Sequence, residues 1–171
     1  MKRFGDKLKG GDLRSIGQAN RVVQEVSNQQ DFDELFRELF NPDRKVVMRA
    51  ADAIEKITLG KPEYLESHKQ EILILCNGAP PIELKWHLAL LLPRLVLTEK
   101  ELDKTARLLS RWAGNRDESK IVRVNALQSL FGLGRVHPGL EDDYKKIAAE
   151  ISKENVPSLQ ARIRKLAKQK R

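Results

Sequence analysis

Apolar residues recur along this chain at spacings of three and four, which is the spacing of one face of an α-helix. A clear stripe of this kind is formed by Val46, Val47, Ala50, Ile54 and Ile57. Similar stripes run through residues 121–133 and 140–151, and residues 82–97 are apolar on nearly every side. The pattern predicts an all-α protein with a buried central helix over residues 82–97.

Short turn sequences separate the helical segments at a regular interval. They begin at Asn41, Gly78, Asn115 and Asn155, so their separations are 37, 37 and 40 residues. A fixed period in this range, with two helices per period, is typical of a helical solenoid, because one hairpin cannot bury its apolar face without a stacked neighbour. The sequence therefore predicts about four helical hairpins, preceded by an N-terminal helix that follows Asp12.

Two of the turns contain the same pair of charged residues. Asp43 is followed six residues later by Arg49, and Asp117 is followed six residues later by Arg123. An Asp at the start of a helix is stabilised by capping and by the helix dipole. This pattern resembles the HEAT repeat, in which an Asp begins the second helix and an Arg or Lys follows six residues on.

The resemblance covers roughly residues 31–171, and it is interrupted in two of the four units, where Pro81 and Pro157 stand at the Asp position. It implies a right-handed α-α superhelix of the HEAT or armadillo type, built from about four hairpins and an N-terminal helix. On this interpretation residues 13–171 form a single domain. Residues 1–12 contain three glycines and no apolar period, so we expect a flexible N-terminal tail there.

The net charge of +8 comes from the two ends of the chain. Residues 1–14 contain five basic and two acidic residues, and residues 156–171 contain six basic residues and no acidic one. Between them, residues 15–155 contain 21 basic and 22 acidic residues. A basic surface is therefore expected at the ends of the chain and not over the whole domain.

The inner helices of HEAT proteins usually line the concave face, so the resemblance implies a partner-binding surface there. Its candidate residues are Arg49, Lys56, Trp86, His87, Arg94, Arg123 and Arg135. The alternative for Arg49 and Arg123 is that they form hydrogen bonds within and between repeats. Trp86 and Trp112 also fit a packing role, since tryptophans on the helices of repeat proteins mostly pack between repeats.

The C-terminal segment is the most strongly charged part of the sequence. Its basic patch consists of Arg162, Arg164, Lys165 and Lys168. Such a patch can contact phosphates or an acidic partner. The alternative is a solubilising end cap, since the last unit of a solenoid needs a polar outer face.

We identify no catalytic, cofactor-binding or metal-binding motif in the sequence. His-Glu-x-x-His, Cys-x-x-Cys, a phosphate loop and Gly-x-Ser-x-Gly are all absent. The histidines, His68, His87 and His137, lie in different units without acidic residues at metal-ligand spacing. Cys76 follows an apolar run and is expected to be a small buried hydrophobic residue.

The sequence also predicts a cytoplasmic protein. Its longest apolar run, residues 88–93, is far shorter than the roughly 20 residues that cross a bilayer, and the basic N-terminus lacks the apolar segment of a signal peptide. One cysteine cannot form an intrachain disulfide, which is typical of a reducing compartment. We therefore expect a soluble protein that does not enter a membrane.

These features predict a non-enzymatic binding scaffold with no cofactor. The first hypothesis is a protein partner bound on the face of the inner helices. The second is nucleic acid bound by the basic C-terminal helix and the inner-helix arginines. The third is an enzyme such as the helical-repeat DNA glycosylases, which place an acid beside aromatics in a basic groove, but we identify no such group. The sequence leaves the oligomeric state open.

Overall fold

The computed structural model describes residues 4–9, 18–78 and 80–169, and every regular element within these residues is helical. The all-α prediction is therefore confirmed. In chain order the α-helices are α1 (Phe4–Leu8), α2 (Ala19–Glu25), α3 (Gln29–Arg37), α4 (Arg44–Gly60), α5 (Lys69–Asn77), α6 (Ile82–Leu91), α7 (Glu99–Gly114), α8 (Lys120–Val136), α9 (Glu141–Ser152) and α10 (Pro157–Lys168). None of the helices in the described ranges is long and apolar enough to cross a membrane.

The chain forms two compact units, Met1–Leu88 and Ala89–Arg171. The N-terminal unit contains α1 to α5 and most of α6, and the C-terminal unit contains the end of α6 and α7 to α10. A single HEAT-like domain over residues 13–171 stays a prediction. The predicted helix start at Asp12 lies outside the described residues.

The four predicted turns all separate helices in the structure. The breaks that begin at Asn41, Gly78, Asn115 and Asn155 precede α4, α6, α8 and α10. Pro157 occupies the first turn of α10, where its missing N–H costs no helical hydrogen bond. The turn prediction succeeded because glycine, asparagine and proline act locally on the backbone.

The two Asp residues of the HEAT-like pattern behave differently. Asp43 caps α4, because its side chain accepts a hydrogen bond from the backbone N–H of Lys45 at 2.9 Å. Asp117 does not begin a helix, since α8 starts three residues later, after Ser119. The backbone N–H of Asp117 instead donates to the side chain of Asn115 within the turn. The predicted capping role is therefore confirmed for Asp43 and wrong for Asp117.

The central helix is shorter than its apolar pattern predicts. It was expected to span residues 82–97, but α6 ends at Leu91 and a 3-10 turn, Leu92–Arg94, follows it. Pro93 lies in that turn, and a proline removes a backbone donor and clashes with the preceding helical turn. Apolar composition predicted the burial of this segment, while the proline decided where the helix ends.

In the N-terminal unit, α4 is the central helix and packs against α1, α2 and α3. Its buried apolar face includes the predicted stripe of Val46, Val47, Ala50, Ile54 and Ile57. A 3-10 segment, Pro62–His68, precedes α5 and also contacts α4. The stripe predicted for this helix is confirmed.

The first residues of the chain differ from the sequence expectation. Within the expected tail, helix α1 docks on the unit with Phe4 and Leu8 completely buried. The two residues are four apart and so lie on one helical face. The backbone N–H of Gly5 donates to the Glu38 carboxylate at 3.1 Å, and a side chain at Gly5 would meet that carboxylate at less than 3 Å. The glycine therefore permits the close docking of α1, where the sequence pattern predicted a flexible segment.

In the C-terminal unit, α8 is the central helix and packs against α7, α9 and α10. Nearly all of its residues between Val122 and Gly134 are buried. Helix α7 begins with a capping box, in which Thr98 and Glu101 each accept a hydrogen bond from the other's backbone N–H. Helices α7, α9 and α10 thus surround one apolar helix, and their outer faces are polar.

Candidate binding surface

The seven residues predicted to line a partner-binding face divide between the two units. Arg49, Lys56, Trp86 and His87 belong to the N-terminal unit. Arg94, Arg123 and Arg135 belong to the C-terminal unit.

Two of the residues in the N-terminal unit are buried and bonded inside it. The Arg49 side chain is 1% exposed, and its Nη1 donates to the carbonyl oxygen of Leu8 at 2.6 Å. His87 is 7% exposed, and its Nδ1 lies 2.5 Å from Oε2 of Glu55. Burial removes Arg49 and His87 from the candidate surface, which corrects the expectation that they contact a partner.

The other two residues of this set are half-buried. Lys56 donates from Nζ to Asp52 at 2.7 Å and to Asn20 at 2.9 Å. Trp86 lies beside His87, with 5.6 Å between the ring centroids. Lys56 is thus neutralised by an acid of its own helix, and Trp86 packs against a neighbouring ring.

Arg123 in the C-terminal unit is also an internal residue. Arg123 is only 2% exposed. Its Nε donates to the carbonyl oxygen of Ala113 at 2.8 Å. Its Nη2 lies 2.9 Å from both carboxylate oxygens of Glu154. Leu8 and Ala113 both lie at the C-terminal ends of helices, where backbone carbonyls lack helical partners. Arg123 and Arg49 therefore stabilise helix ends, which is the internal role that the sequence left open as the alternative.

Helices α8 and α10 lie side by side and run in the same direction. Arg162 of α10 donates to the side chain of Gln128 of α8 at 2.9 Å. Further along both helices, Gln169 at the end of α10 and Arg135 of α8 both line one surface pocket. Lys165 lies one helical turn before Gln169 and therefore on the same face of α10. The end of α8 thus brings a cation next to the cations of α10.

We define the basic surface of the C-terminal unit as Arg135, Arg162, Lys165 and Lys168. Arg162 is half-buried, and the other three side chains are exposed. Arg164 is exposed too, and it lies four residues before Lys168, so these two cations share the outer face of α10. The structure therefore places two of the four predicted patch residues, Arg162 and Lys165, on the side of α10 towards α8 and Arg135, while Arg164 and Lys168 extend the positive charge around α10. Arg94 is half-buried in the turn after α6.

Among the described residues, the exposed cations of the basic surface have no acidic partner, as is also the case for other exposed cations of this unit such as Lys100, Lys104 and Lys146. Within the described residues, Arg135, Lys165 and Lys168 have no hydrogen-bond or ion-pair partner. In contrast, Arg107 pairs with Asp103 on α7, and Lys145 lies 3.3 Å from Glu141 on α9. Unpaired like charges on adjacent helices produce a positive potential that an anionic ligand would lower.

A pocket of about 320 Å³ opens beside the basic surface, between the ends of α8 and α10 and the start of α9. Its floor includes Phe131 and Tyr144, whose rings meet edge-to-face with centroids 5.1 Å apart. Burial raises the pKa of Tyr144, so its phenol stays neutral at physiological pH. Arg135 and Gln169 form one rim of the pocket.

The start of α9 contributes an acid to the pocket lining, and this acid has a partner of its own. Glu141 lines the pocket there and lies 3.3 Å from Nζ of Lys145. The same lysine lies 3.6 Å from Asp142. Two carboxylates here share one lysine, so the start of α9 keeps a net negative charge, whereas Arg135 has no acidic partner within the described residues.

The remaining histidines and tryptophan have structural surroundings. His68 stacks on Phe36 with 3.9 Å between ring centroids, and its ring nitrogens lie 2.7 Å from Asp33 and 2.9 Å from Glu71. Burial alone would raise the pKa of Asp33, but hydrogen bonds from Gln29 and His68 outweigh it and lower that pKa. Trp112 is 4% exposed and packs in the core. Over the described part of the chain, no group of three His, Cys, Asp or Glu side chains could hold a metal ion.

Cys76 is expected to be almost unreactive in the folded protein. Its side chain is 2% exposed, and burial raises its pKa to about 12. At about pH 8 only about one thiol in ten thousand would then be ionised, and the thiolate is the reactive form. We expect an aromatic disulfide reagent to label native Cys76 at least about a hundredfold more slowly than the guanidinium-unfolded chain. Equal rates would show that the thiol is accessible and would contradict its burial.

The sequence pattern does not reveal this pocket, although the two rings of its floor lie in the predicted apolar stripes over residues 121–133 and 140–151. Phe131 and Tyr144 belong to apolar stripes, and such stripes do not reveal a gap between helix ends. A local signal was Gly134 within an apolar helix, since glycine there often marks a close approach of another backbone. A Cβ atom at Gly134 would lie 3.1 Å from Cα of Glu141, so α9 starts directly against α8.

Comparisons with known proteins do not assign this chain to a family. It matches no protein-family model, no curated protein and no solved structure.

Proposed function

We infer that this chain is a non-enzymatic HEAT-type binding module that binds a protein partner through the basic surface of its C-terminal unit. The observation that carries this proposal is the group of exposed cations on α8 and α10 that lack an acidic partner within the described residues. A partner with acidic side chains would supply the missing counter-charges. Charge complementarity of this kind chiefly sets orientation and association rate.

The proposed architecture is a right-handed superhelix of HEAT-type hairpins. Its support is the fixed interval of the four turns and the helical hairpins on either side of them. The Asp43 cap adds a HEAT-like feature, while Asp117 lacks it. A free cysteine, Cys76, fits the proposed cytoplasmic location, where disulfides are rare.

Nucleic acid is the second candidate partner. It is favoured by the C-terminal segment, residues 156–171, which contains six basic residues and no acidic one. Such a segment can displace the counterions of phosphates, and the affinity then falls steeply with salt. Two of these cations, Lys170 and Arg171, lie outside the described residues.

The proposal is tested by the binding of defined polyanions. We would measure fluorescence anisotropy of a labelled polyglutamate peptide, and of single- and double-stranded oligonucleotides, across a salt series. For the peptide, we expect the double substitution Lys165→Glu and Lys168→Glu to weaken binding by at least about tenfold, or about 1.4 kcal/mol.

A matched double substitution, Lys100→Glu and Lys104→Glu on α7, is the control. It changes the net charge equally at two exposed lysines outside the basic surface. If both pairs weaken peptide binding equally, the effect is one of net charge and the proposed surface is rejected. The oligonucleotides could also bind while the peptide does not. If the α10 substitutions then abolish oligonucleotide binding and the α7 substitutions do not, the partner is nucleic acid and not protein.

A further inference from the structure

The pocket beside the basic surface has the size and lining of a site for one apolar side chain. Its volume of about 320 Å³ lies at the lower end of the range for ligand pockets. The buried rings of Phe131 and Tyr144 form an apolar floor, and Pro138 adds to the wall. Gly134 lets the start of α9 approach α8 closely beside the pocket, because a Cβ atom there would lie 3.1 Å from Cα of Glu141.

The charges around the pocket favour a peptide over nucleic acid. Arg135 stands on the rim towards α10, where Lys165 and Lys168 extend the positive charge. Glu141, which lines the pocket, and Asp142 begin α9 and share one lysine, so a phosphate backbone passing across the pocket would meet a net negative charge. A short acidic segment can lie along the basic side alone.

The ring geometry of the pocket also argues against base stacking. Phe131 is 3% exposed and Tyr144 is 6% exposed, and the two rings meet edge-to-face. Single-stranded nucleic acids are usually bound on exposed aromatic faces. Buried rings at the floor of a small pocket instead suit an aliphatic or aromatic side chain that enters from above.

We propose that this pocket takes one apolar side chain of an acidic peptide segment, whose carboxylates lie against the basic surface. The inference rests on the proposed function, because it assigns the class of protein segment that the basic surface binds. The apolar side chain supplies an anchor, and the flanking carboxylates pair with Arg135 and Lys165. A buried anchor surrounded by complementary charges is the usual arrangement of a small recognition site.

Two peptides that differ at one position test the pocket. We would compare labelled Glu-Asp-Glu-Leu-Glu-Asp with Glu-Asp-Glu-Ser-Glu-Asp by fluorescence anisotropy on the full chain. Burying the leucine side chain should make the first peptide bind about tenfold more tightly. Arg135→Glu should weaken both peptides by about tenfold, because it removes a counter-charge that both share.

A substitution that fills the pocket separates the anchor from the charges. Gln169→Trp places a large ring at the rim, and we expect it to abolish the preference for leucine while the serine peptide binds as before. Ser158→Trp adds the same ring to an exposed position of α10 outside the pocket and should keep the preference. Circular dichroism of each variant verifies that the helices are intact.

The outcomes distinguish a failure of the pocket proposal from a failure of the proposed binding surface. Equal affinities of the two peptides for the unmodified protein, with charge reversal still effective, would overturn the anchor and leave the proposed function standing. A leucine preference that survives Gln169→Trp would also overturn it. If neither peptide binds at low salt, both the inference and the proposed function fail. An oligonucleotide that displaces the leucine peptide from the unmodified protein but not from Gln169→Trp would make nucleic acid the occupant.

Discussion

Leu91→Asp is expected to unfold the C-terminal unit. Leu91 is completely buried at the end of α6. Removing a buried leucine side chain costs about 2–5 kcal/mol, and an unpaired buried carboxylate adds several kcal/mol more. The sum is comparable with the whole free energy of unfolding of a typical domain, about 5–15 kcal/mol. Far-ultraviolet circular dichroism against temperature should show that the helical signal of this unit and its cooperative transition are lost.

The control for this substitution is Leu59→Asp, the same change at a leucine that is 71% exposed. Leu59 lies in the last turn of α4, where an acidic residue costs only about 0.3–1 kcal/mol through the helix dipole. Its melting temperature should therefore change little. A Leu91→Asp variant that melts cooperatively at the temperature of the unmodified protein would contradict the buried end of α6.

Features determined by neighbouring residues could be predicted from the sequence. The four turns, the Asp43 cap and the Thr98–Glu101 capping box each depend on a few adjacent residues. Pro93 is also a local signal for the end of α6, but the apolar pattern continues past it to residue 97 and predicted a helix that is too long. Local chemistry thus determined most helix boundaries of this protein.

Features that depend on contacts between distant residues could not be predicted. Helix α1 is too short for a periodic signal, and its docking depends on the fit of Gly5 to Glu38, 33 residues away. An arginine such as Arg123 has the same pattern along the sequence whether it faces solvent or a helix end. Its burial follows from the position of Glu154, 31 residues away. The candidate binding site is therefore the basic surface and not the row of inner-helix arginines. The basic surface is formed by the packing of α10 on α8, which the sequence pattern does not show.

The Arg123–Glu154 pair joins α8 to the segment before α10 inside the C-terminal unit. The side chain of Arg123 is 3% exposed and that of Glu154 is 11% exposed. A pair buried to this degree gains little net stability over apolar residues of the same size, but removal of one member leaves the other charge without compensation. The carbonyl oxygen of Ala113 would also lose its donor.

Arg123→Ala is therefore expected to lower the free energy of unfolding by about 3–5 kcal/mol, which urea denaturation would measure. Arg116→Ala is the matched control, because Arg116 lies 3.4 Å from the same carboxylate but its side chain is 77% exposed. An exposed ion pair contributes at most about 1 kcal/mol, so this variant should be nearly as stable as the unmodified protein. The double substitution Arg123→Met and Glu154→Leu should recover much of the loss, since it removes both charges together. Similar losses for Arg123→Ala and Arg116→Ala would contradict the buried pair, because exposure is the main difference between the two arginines.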